Sequence, residues 1–161
     1  MRRARFDTPN DILATARECG YGKTQFRQLT GRDGLAVVDR FLEAFTVRGV
    51  ANRASVWLWE KFREPSVSVS GPVGLEVLLA FAPADTRIWL LVEDESQRKR
   101  KAPFWAFDAT LTAAIGTLRN HHSVEFYIAG RSFEWAIAEN HHDVLIGVGS
   151  RAATFVQTLR P

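Results

Sequence analysis

The segment Arg87–Glu93 most narrows the possible folds, because its five middle residues, Ile-Trp-Leu-Leu-Val, are all apolar. A strand without apolar–polar alternation is typical of a sheet interior that is covered on both faces. Phe104–Asp108 is a second, aromatic strand, and we expect it to pair with the first across the basic segment between them. The sequence therefore predicts a sheet with a buried central strand.

The rest of the second half predicts more strands and two helices. Glu125–Ala129 and Phe133–Ala138 are short apolar runs separated by Gly130-Arg131-Ser132, a spacing that predicts a β-hairpin. The other predicted elements are a helix at Thr110–Asn120, a strand at Val144–Val148 and a terminal helix marked by Ala152, Phe155, Val156 and Leu159.

The first half predicts mainly helix. Thr8-Pro9-Asn10-Asp11 combines a capping hydroxyl, an early proline and a carboxylate, so a helix should run from about Pro9 to Cys19 and end at Gly20. Apolar spacing predicts a second helix over Gly34–Val47. Shorter predicted elements are a strand at Val56–Glu60, with a helix over Val56–Phe62 as the alternative, a strand at Val67–Ser70 and a short helix at Leu75–Leu79.

These elements together predict an α+β fold with a central, largely antiparallel sheet of about five strands and the N-terminal helices packed on one face. The chain has 161 residues and 46% of them are hydrophobic, which suits one ordinary domain. We therefore expect residues 1–161 to form a single domain whose core needs neither a metal nor a disulfide.

Composition and charge exclude several classes of protein. The formal net charge is +3, less than a dedicated nucleic-acid binder usually carries. Cys19 is the only cysteine, which excludes an internal disulfide and fits a reducing compartment. No apolar run follows the arginines of residues 1–5, and none reaches the roughly 18 residues of a membrane span. We expect a cytoplasmic protein that does not enter a membrane.

No cofactor is predicted, because no nucleotide-binding motif is present. The segment Gly20-Tyr21-Gly22-Lys23-Thr24 is superficially similar to a phosphate-binding loop. It lacks the Gly-x-x-x-x-Gly-Lys-Thr spacing and does not follow a predicted strand, so the motif is rejected.

All four histidines occur in two adjacent pairs, His121-His122 and His141-His142. Neighbouring side chains of an extended segment point to opposite faces, so a metal ion would take one histidine from each pair. With a carboxylate from Glu125, Glu139 or Asp143, such a set would suit zinc, manganese or iron. The spacing matches no recognised ligand motif. A metal-dependent hydrolase or nuclease is therefore an alternative function, and loop histidines that hydrogen-bond the backbone are the plainer interpretation.

Two charged runs permit other functions. Glu93-Asp94-Glu95 could supply general acid and base groups, but a charged hairpin turn beside Arg98–Lys101 is the favoured explanation of this run. Arg98–Lys101, with Phe104 and Trp105 for base stacking, makes nucleic-acid binding a second alternative. A solvated basic loop is the simpler explanation of that run.

The five tryptophans are unusual for a chain of this length, and we expect most of them in the core. They are Trp57, Trp59, Trp89, Trp105 and Trp135. Tryptophan is also enriched at binding hot spots, so one or two exposed rings would mark a protein-recognition surface.

The second half of the chain carries a pattern of aromatic and acidic strand segments. It consists of Trp89–Asp94, the aromatic strand Phe104–Asp108, Glu125–Ile128, and Trp135 followed by Asn140-His141-His142-Asp143. With this pattern, Arg87–Gly149 resembles a small bacterial domain family of unknown function. The resemblance extends to orphan proteins found near secreted toxins, which implies an immunity role.

The sequence thus predicts a bacterial protein-binding protein, an immunity protein that neutralises a secreted toxin by direct binding. Immunity proteins that mask basic nucleases tend to be acidic, and the mildly basic charge of this chain departs from that pattern. The candidate binding residues are Trp135, Glu139, Asn140, His141, His142 and Asp143, with Arg98, Lys99, Arg100 and Lys101 as a charged rim.

Overall fold

The computed structural model describes residues 8–71, 73–94, 102–121 and 124–161. The helices are α1 (Thr8–Glu18), α2 (Gly31–Phe45), α3 (Leu111–Asn120) and α4 (Ser150–Thr158). The strands are β1 (Phe26–Leu29), β2 (Ser66–Ser70), β3 (Arg87–Glu93), β4 (Phe104–Thr110), β5 (Phe126–Gly130), β6 (Ala136–Glu139) and β7 (Val144–Val148). Short 3₁₀ helices occupy Gly49–Asn52, Leu58–Lys61 and Leu75–Ala80.

The strands form one antiparallel sheet in the order β1-β4-β3-β5-β6-β7-β2. The α+β prediction is confirmed, but the sheet has seven strands rather than about five. The pairing of β3 with β4 and the β5–β6 hairpin are as predicted. None of the helices in the described ranges is long and apolar enough to span a membrane.

Helices cover both faces of the sheet, so the prediction that the N-terminal helices share one face is wrong. Ile12 of α1 packs with α3 and α4 on one face, whereas Phe41 and Leu42 of α2 pack on the opposite face. The reason lies in β3, whose alternate side chains are buried on both sides. A strand of this kind is stable only when apolar elements cover each face.

Alternation along β3 sets which side chains face α2. Leu90 and Val92 lie in the core on the α1 side, and Leu91 lies in the core on the α2 side. Arg87 and Glu93, at even spacings from Leu91, therefore lie on the α2 face at opposite ends of the strand. The two ends of this face are the regions of functional interest.

The segment predicted as a strand at Val56–Glu60 is instead a turn followed by the 3₁₀ helix Leu58–Lys61, so the helical alternative is closer to the structure. Trp57 has a left-handed backbone, with φ of 57°. This conformation costs a non-glycine residue about 1–3 kcal/mol and is retained where the surroundings hold it. Here the backbone N–H of Trp57 points to Glu93.

Candidate functional site

A pocket of about 430 Å³ opens at the edge of the sheet where β3 ends, β5 begins and β6 ends. The register pairs Val92 with Phe126 and Phe126 with Glu139, which brings these three strand ends together. We call this the strand-end pocket. Its lining consists of Thr8, Trp57, Glu93, Asp94, Val124, Glu125, Glu139, Asn140, His141 and Asp143.

The strand-end pocket is acidic, although the whole chain carries a net charge of +3. Five carboxyl groups line it, and among the described lining residues there is no lysine or arginine. The five are Glu93, Asp94, Glu125, Glu139 and Asp143. The described lining residues therefore contribute a negative local charge, opposite in sign to the net charge of the protein.

Glu93 is the most enclosed of the acidic residues that line the pocket, with 7% of its surface exposed. Its carboxyl group accepts hydrogen bonds from the Tyr127 hydroxyl at 2.9 Å and from the Trp57 backbone N–H at 2.9 and 3.0 Å. Burial raises the pKa of Glu93 to about 7. The hydrogen bond from Trp57 lowers this pKa, and the charge of Glu125 raises it.

Glu125 connects Glu93 to the mouth of the pocket. The backbone N–H of Glu93 donates to the Glu125 carbonyl at 3.0 Å, and the charge of the Glu125 carboxyl group acts on Glu93. Oε1 of Glu125 also contacts Nδ1 of His141 and accepts from the His141 backbone N–H at 3.2 Å. Tyr127, Glu93, Glu125 and His141 thus form a series of polar contacts from the core to the surface, joined between Glu93 and Glu125 by the backbone.

Aromatic rings surround the mouth of the pocket. The His141 ring lies 6.2 Å from that of Trp57 and 6.4 Å from that of Trp59, and the His142 ring lies 6.3 Å from that of Trp59. Trp57 is 37% exposed, and both histidines are exposed. We call Trp57, Trp59, His141 and His142 the aromatic rim.

Asn140 and Asp143 shape the turn that presents His141. The buried Asn140 side chain accepts from the backbone N–H groups of His142 at 2.9 Å and Val144 at 3.2 Å. Asp143 closes the turn with φ of 55°, a left-handed conformation that Asp tolerates better than most residues. The role of Asn140 is therefore to position His141.

Glu139 also lies beside this turn. Burial raises the pKa of Glu139, and the charge of Asp143 raises it further.

The structure gathers part of the predicted site. Glu139, Asn140, His141 and Asp143 line the pocket and His142 lies at its rim. Trp135 does not join them, because it is buried in the core on the α1 side with its ring 4.7 Å from Phe81. Arg98, Lys99, Arg100 and Lys101 lie outside the described residues.

The two histidine pairs do not meet in the described part of the chain. Nδ1 of His121 lies 3.2 Å from the hydroxyl of Thr15 on α1, while His141 contacts Glu125. His122 lies outside the described residues. Within the described ranges, no group of three or more histidine, cysteine, aspartate or glutamate side chains is arranged to hold a metal ion.

Sequence reasoning leaves the central group, Glu93, out of the predicted site. It considers Glu93-Asp94-Glu95 for general acid and base chemistry but favours the charge of a hairpin turn, and it considers Glu125 as a metal ligand. The available signal was the position of Glu93 at the end of an all-apolar strand, two residues after the buried Leu91. By alternation this places the carboxyl group on a covered face, where burial perturbs its pKa.

One known family has a sequence model that matches nearly the whole chain. The sequence model of a family of unknown function, DUF6756, matches residues 9–160. The chain belongs to this family. No curated protein and no solved structure matches the chain. The match confirms the resemblance to a domain of unknown function and extends it beyond Arg87–Gly149. Because the family description names no activity, the function must be argued from the strand-end pocket.

Proposed function

We propose that this chain is a protein-binding protein whose strand-end pocket receives an arginine or lysine side chain of its partner. The observation that carries the proposal is the convergence of Glu93, Glu125, Glu139 and Asp143 on one pocket whose described lining contains no lysine or arginine. Carboxylates gathered in this way repel each other, and a cation relieves that repulsion. The pocket is therefore built to bind positive charge.

The pair formed by Glu93 and Glu125 is the expected contact for the cation. At neutral pH, the raised pKa of Glu93 means that part of the population holds a proton there. A guanidinium or ammonium group that replaces this proton would form charge-assisted hydrogen bonds to the carboxylates. Binding should therefore release a proton and become tighter as the pH rises through about 7.

The aromatic rim supports recognition of a side chain rather than of a bare ion. Trp57 presents a partly exposed indole beside His141. An arginine that enters past this ring gains a cation–π contact as well as apolar contact for its methylene groups. Tryptophan and arginine are both enriched among the residues that dominate protein–protein binding energy.

The partner that we propose is a secreted toxin, which the chain would neutralise in the bacterial cytoplasm as an immunity protein. This part rests on the resemblance in sequence. A toxin that acts on nucleic acid presents basic side chains in its substrate cleft, and the acidic pocket offers them carboxylates. The mildly basic net charge of the chain is compatible with this role, because the partner meets the local charge of the pocket.

The test is capture of the tagged chain from a cell extract of its source organism, followed by affinity measurements with the purified partner. E125Q keeps the shape of the side chain and removes its charge, and it should weaken binding at least about tenfold. E18Q changes an exposed glutamate outside the pocket and should leave the affinity unchanged. Equal affinities of E125Q and the wild type would contradict the proposal. Failure to protect cells from the captured partner would contradict only the immunity role.

A metal-dependent hydrolase remains the alternative function, since the contact between His141 and Glu125 joins two types of metal ligand. Metal analysis of protein purified without an affinity tag separates the two functions. Stoichiometric zinc or manganese that is lost in H141A would replace the binding proposal, and less than about a tenth of an equivalent would remove the hydrolase.

A further inference from the structure

A second cluster of charged side chains lies at the other end of the α2 face. Three arginines, Arg27, Arg87 and Arg131, surround the carboxylate of Asp108, and we call this group the arginine cluster. The register places Arg27, Asp108 and Trp89 side by side across three adjacent strands. With a rise of about 3.3 Å per residue, Arg87 lies roughly 20 Å from Glu93 along β3.

The contacts within the arginine cluster all end on one carboxylate. Nε and Nη2 of Arg27 donate to Oδ2 of Asp108 at 3.1 and 2.9 Å. Nη2 of Arg87 donates to Oδ1 at 2.5 Å, and Nη2 of Arg131 donates to the same oxygen. Burial alone would raise the pKa of Asp108, but the arginines outweigh it and hold the pKa below its ordinary value of 3.8.

One carboxylate cannot neutralise three guanidinium groups, so the cluster keeps an excess of two positive charges. The side chain of Asp108 is only 6% exposed, whereas those of Arg27, Arg87 and Arg131 are 54%, 36% and 33% exposed. The negative charge is thus enclosed and the positive charge faces solvent. A guanidinium group carries five N–H donors, and the contacts to Asp108 use only some of them.

Further contacts hold two of the guanidinium groups in place. The guanidinium carbon of Arg131 lies 3.8 Å from the centre of the Trp89 ring. Nη1 of Arg87 donates to the carbonyl of Thr24 at 2.5 Å, which connects the cluster to the loop before β1. Side chains that are fixed before binding lose little conformational entropy when a ligand arrives.

We propose that the arginine cluster binds the phosphate group of a small ligand. A phosphate monoester carries about −1.5 to −2 charges near neutral pH, which matches the two uncompensated positive charges. Its oxygens accept hydrogen bonds from paired guanidinium N–H groups in a planar geometry that ammonium groups cannot provide. The phosphate is either free or carried by a nucleotide.

Calorimetric titrations at constant ionic strength with inorganic phosphate and with adenosine monophosphate test this site. R27Q and R131Q should each raise the dissociation constant for phosphate about tenfold, the effect of losing one charge-assisted hydrogen bond. R119Q is the matched control, because Arg119 is 53% exposed and forms a one-to-one pair with Glu76. It should leave the affinity unchanged. Tighter binding of adenosine monophosphate than of phosphate would assign a nucleotide, and equal binding would assign phosphate alone.

D108N separates a binding role from a merely structural one, because its expected effect has the opposite sign. Removing the carboxylate raises the excess charge from two to three, so phosphate should bind more tightly to D108N than to the wild type. If D108N does not fold, R27Q decides the question, since Arg27 is the most exposed of the three arginines.

Three results would overturn the proposal. One is a phosphate affinity that is the same in R27Q, R131Q and the wild type. Another is acetate that binds as tightly as phosphate, which would show that the cluster attracts any anion and does not distinguish phosphate. The third is a single-stranded oligonucleotide that binds more than tenfold tighter than adenosine monophosphate, which would assign the surface to nucleic acid.

Discussion

The two ends of the α2 face are built around buried carboxyl groups that behave in opposite ways. Glu93 on β3 and Asp108 on β4 are 7% and 4% exposed. Burial raises the pKa of Glu93 to about 7, whereas the pKa of Asp108 is lowered. Burial pushes both values up, and within the described ranges it is Asp108 that has arginines beside it to reverse the effect. The neighbours of a buried carboxyl group, rather than its depth, therefore decide its charge.

This difference gives the two groups opposite effects on stability as the pH changes. Asp108 stabilises the fold above its ordinary pKa of 3.8, and this stabilisation is lost as the pH falls through its lower pKa in the folded state. Glu93 binds its proton more tightly in the folded state. Its contribution is therefore present below pH 4.5 and is lost as the pH rises to about 7.

Removing the charge of Asp108 should have the largest effect on stability. In D108N three arginines face each other without a counterion, and we expect the free energy of unfolding to fall by about 3 kcal/mol at neutral pH. Urea denaturation measures this value. D39N is the matched control, since Asp39 forms a single, more exposed pair with Arg53 and its loss should cost much less stability than D108N. Equal losses in the two variants would contradict the special role of Asp108.

Neutralising Glu93 should have the next largest effect, and it should stabilise the protein at high pH. E93Q resembles the protonated side chain, so it removes the cost of burying a charge. From pH 5 to pH 8.5 the wild type should lose about 2–3 kcal/mol more stability than E93Q.

Urea denaturation across this pH range measures the difference, with E18Q at an exposed position as the control. Parallel pH profiles of E93Q and the wild type would show that Glu93 is ionised in the folded state at every pH tested.

Changing Trp57 should have a smaller effect on stability. It tests the left-handed backbone from which the Trp57 N–H donates to Glu93. Because φ of Trp57 is 57°, glycine should be tolerated better than alanine, and W57G should be more stable than W57A by about 1 kcal/mol. At Trp59, within the 3₁₀ helix, the order should reverse. The same order at both positions in urea denaturation would show that the left-handed backbone at Trp57 carries no cost.

The sequence predicts the sheet interior better than it predicts either end of the α2 face. β3 and β7 begin and end as expected, because continuous apolar runs have few alternative structures. β1 was missed, since Phe26–Leu29 has only two apolar residues and becomes a strand by pairing with β4, far along the chain. Asp108 was predicted as the end of an aromatic strand, and its three arginines come together only through the sheet register.

The same reason limits the prediction of the strand-end pocket. His141 and Asp143 could be chosen from local features, a polar turn after an aromatic strand. Their contacts with Glu93 and Glu125 depend on the antiparallel pairing of β3, β5 and β6. Trp135 was predicted with them as part of the same sequence pattern, but its side chain faces the core on the α1 side.

The smallest effect on stability is expected at the mouth of the strand-end pocket, where the effect on binding should be large. H141A combined with H142A removes two exposed rings and one pair with Glu125, so it should cost less than about 1 kcal/mol of stability. The affinity for the protein partner should fall at least about tenfold, because the aromatic rim is lost and Glu125 is no longer oriented.

Urea denaturation and titration of the captured partner measure these two effects on the same samples. H121A is the control, since His121 contacts Thr15 on α1 rather than the pocket, and it should leave the affinity unchanged. Unchanged affinity in the double variant would remove the histidines from the binding surface. A large loss of stability with unchanged affinity would instead assign the contact of His141 with Glu125 to folding. The acidic end of the sheet would then stabilise the fold, as the ion pairs of Asp108 do at the other end.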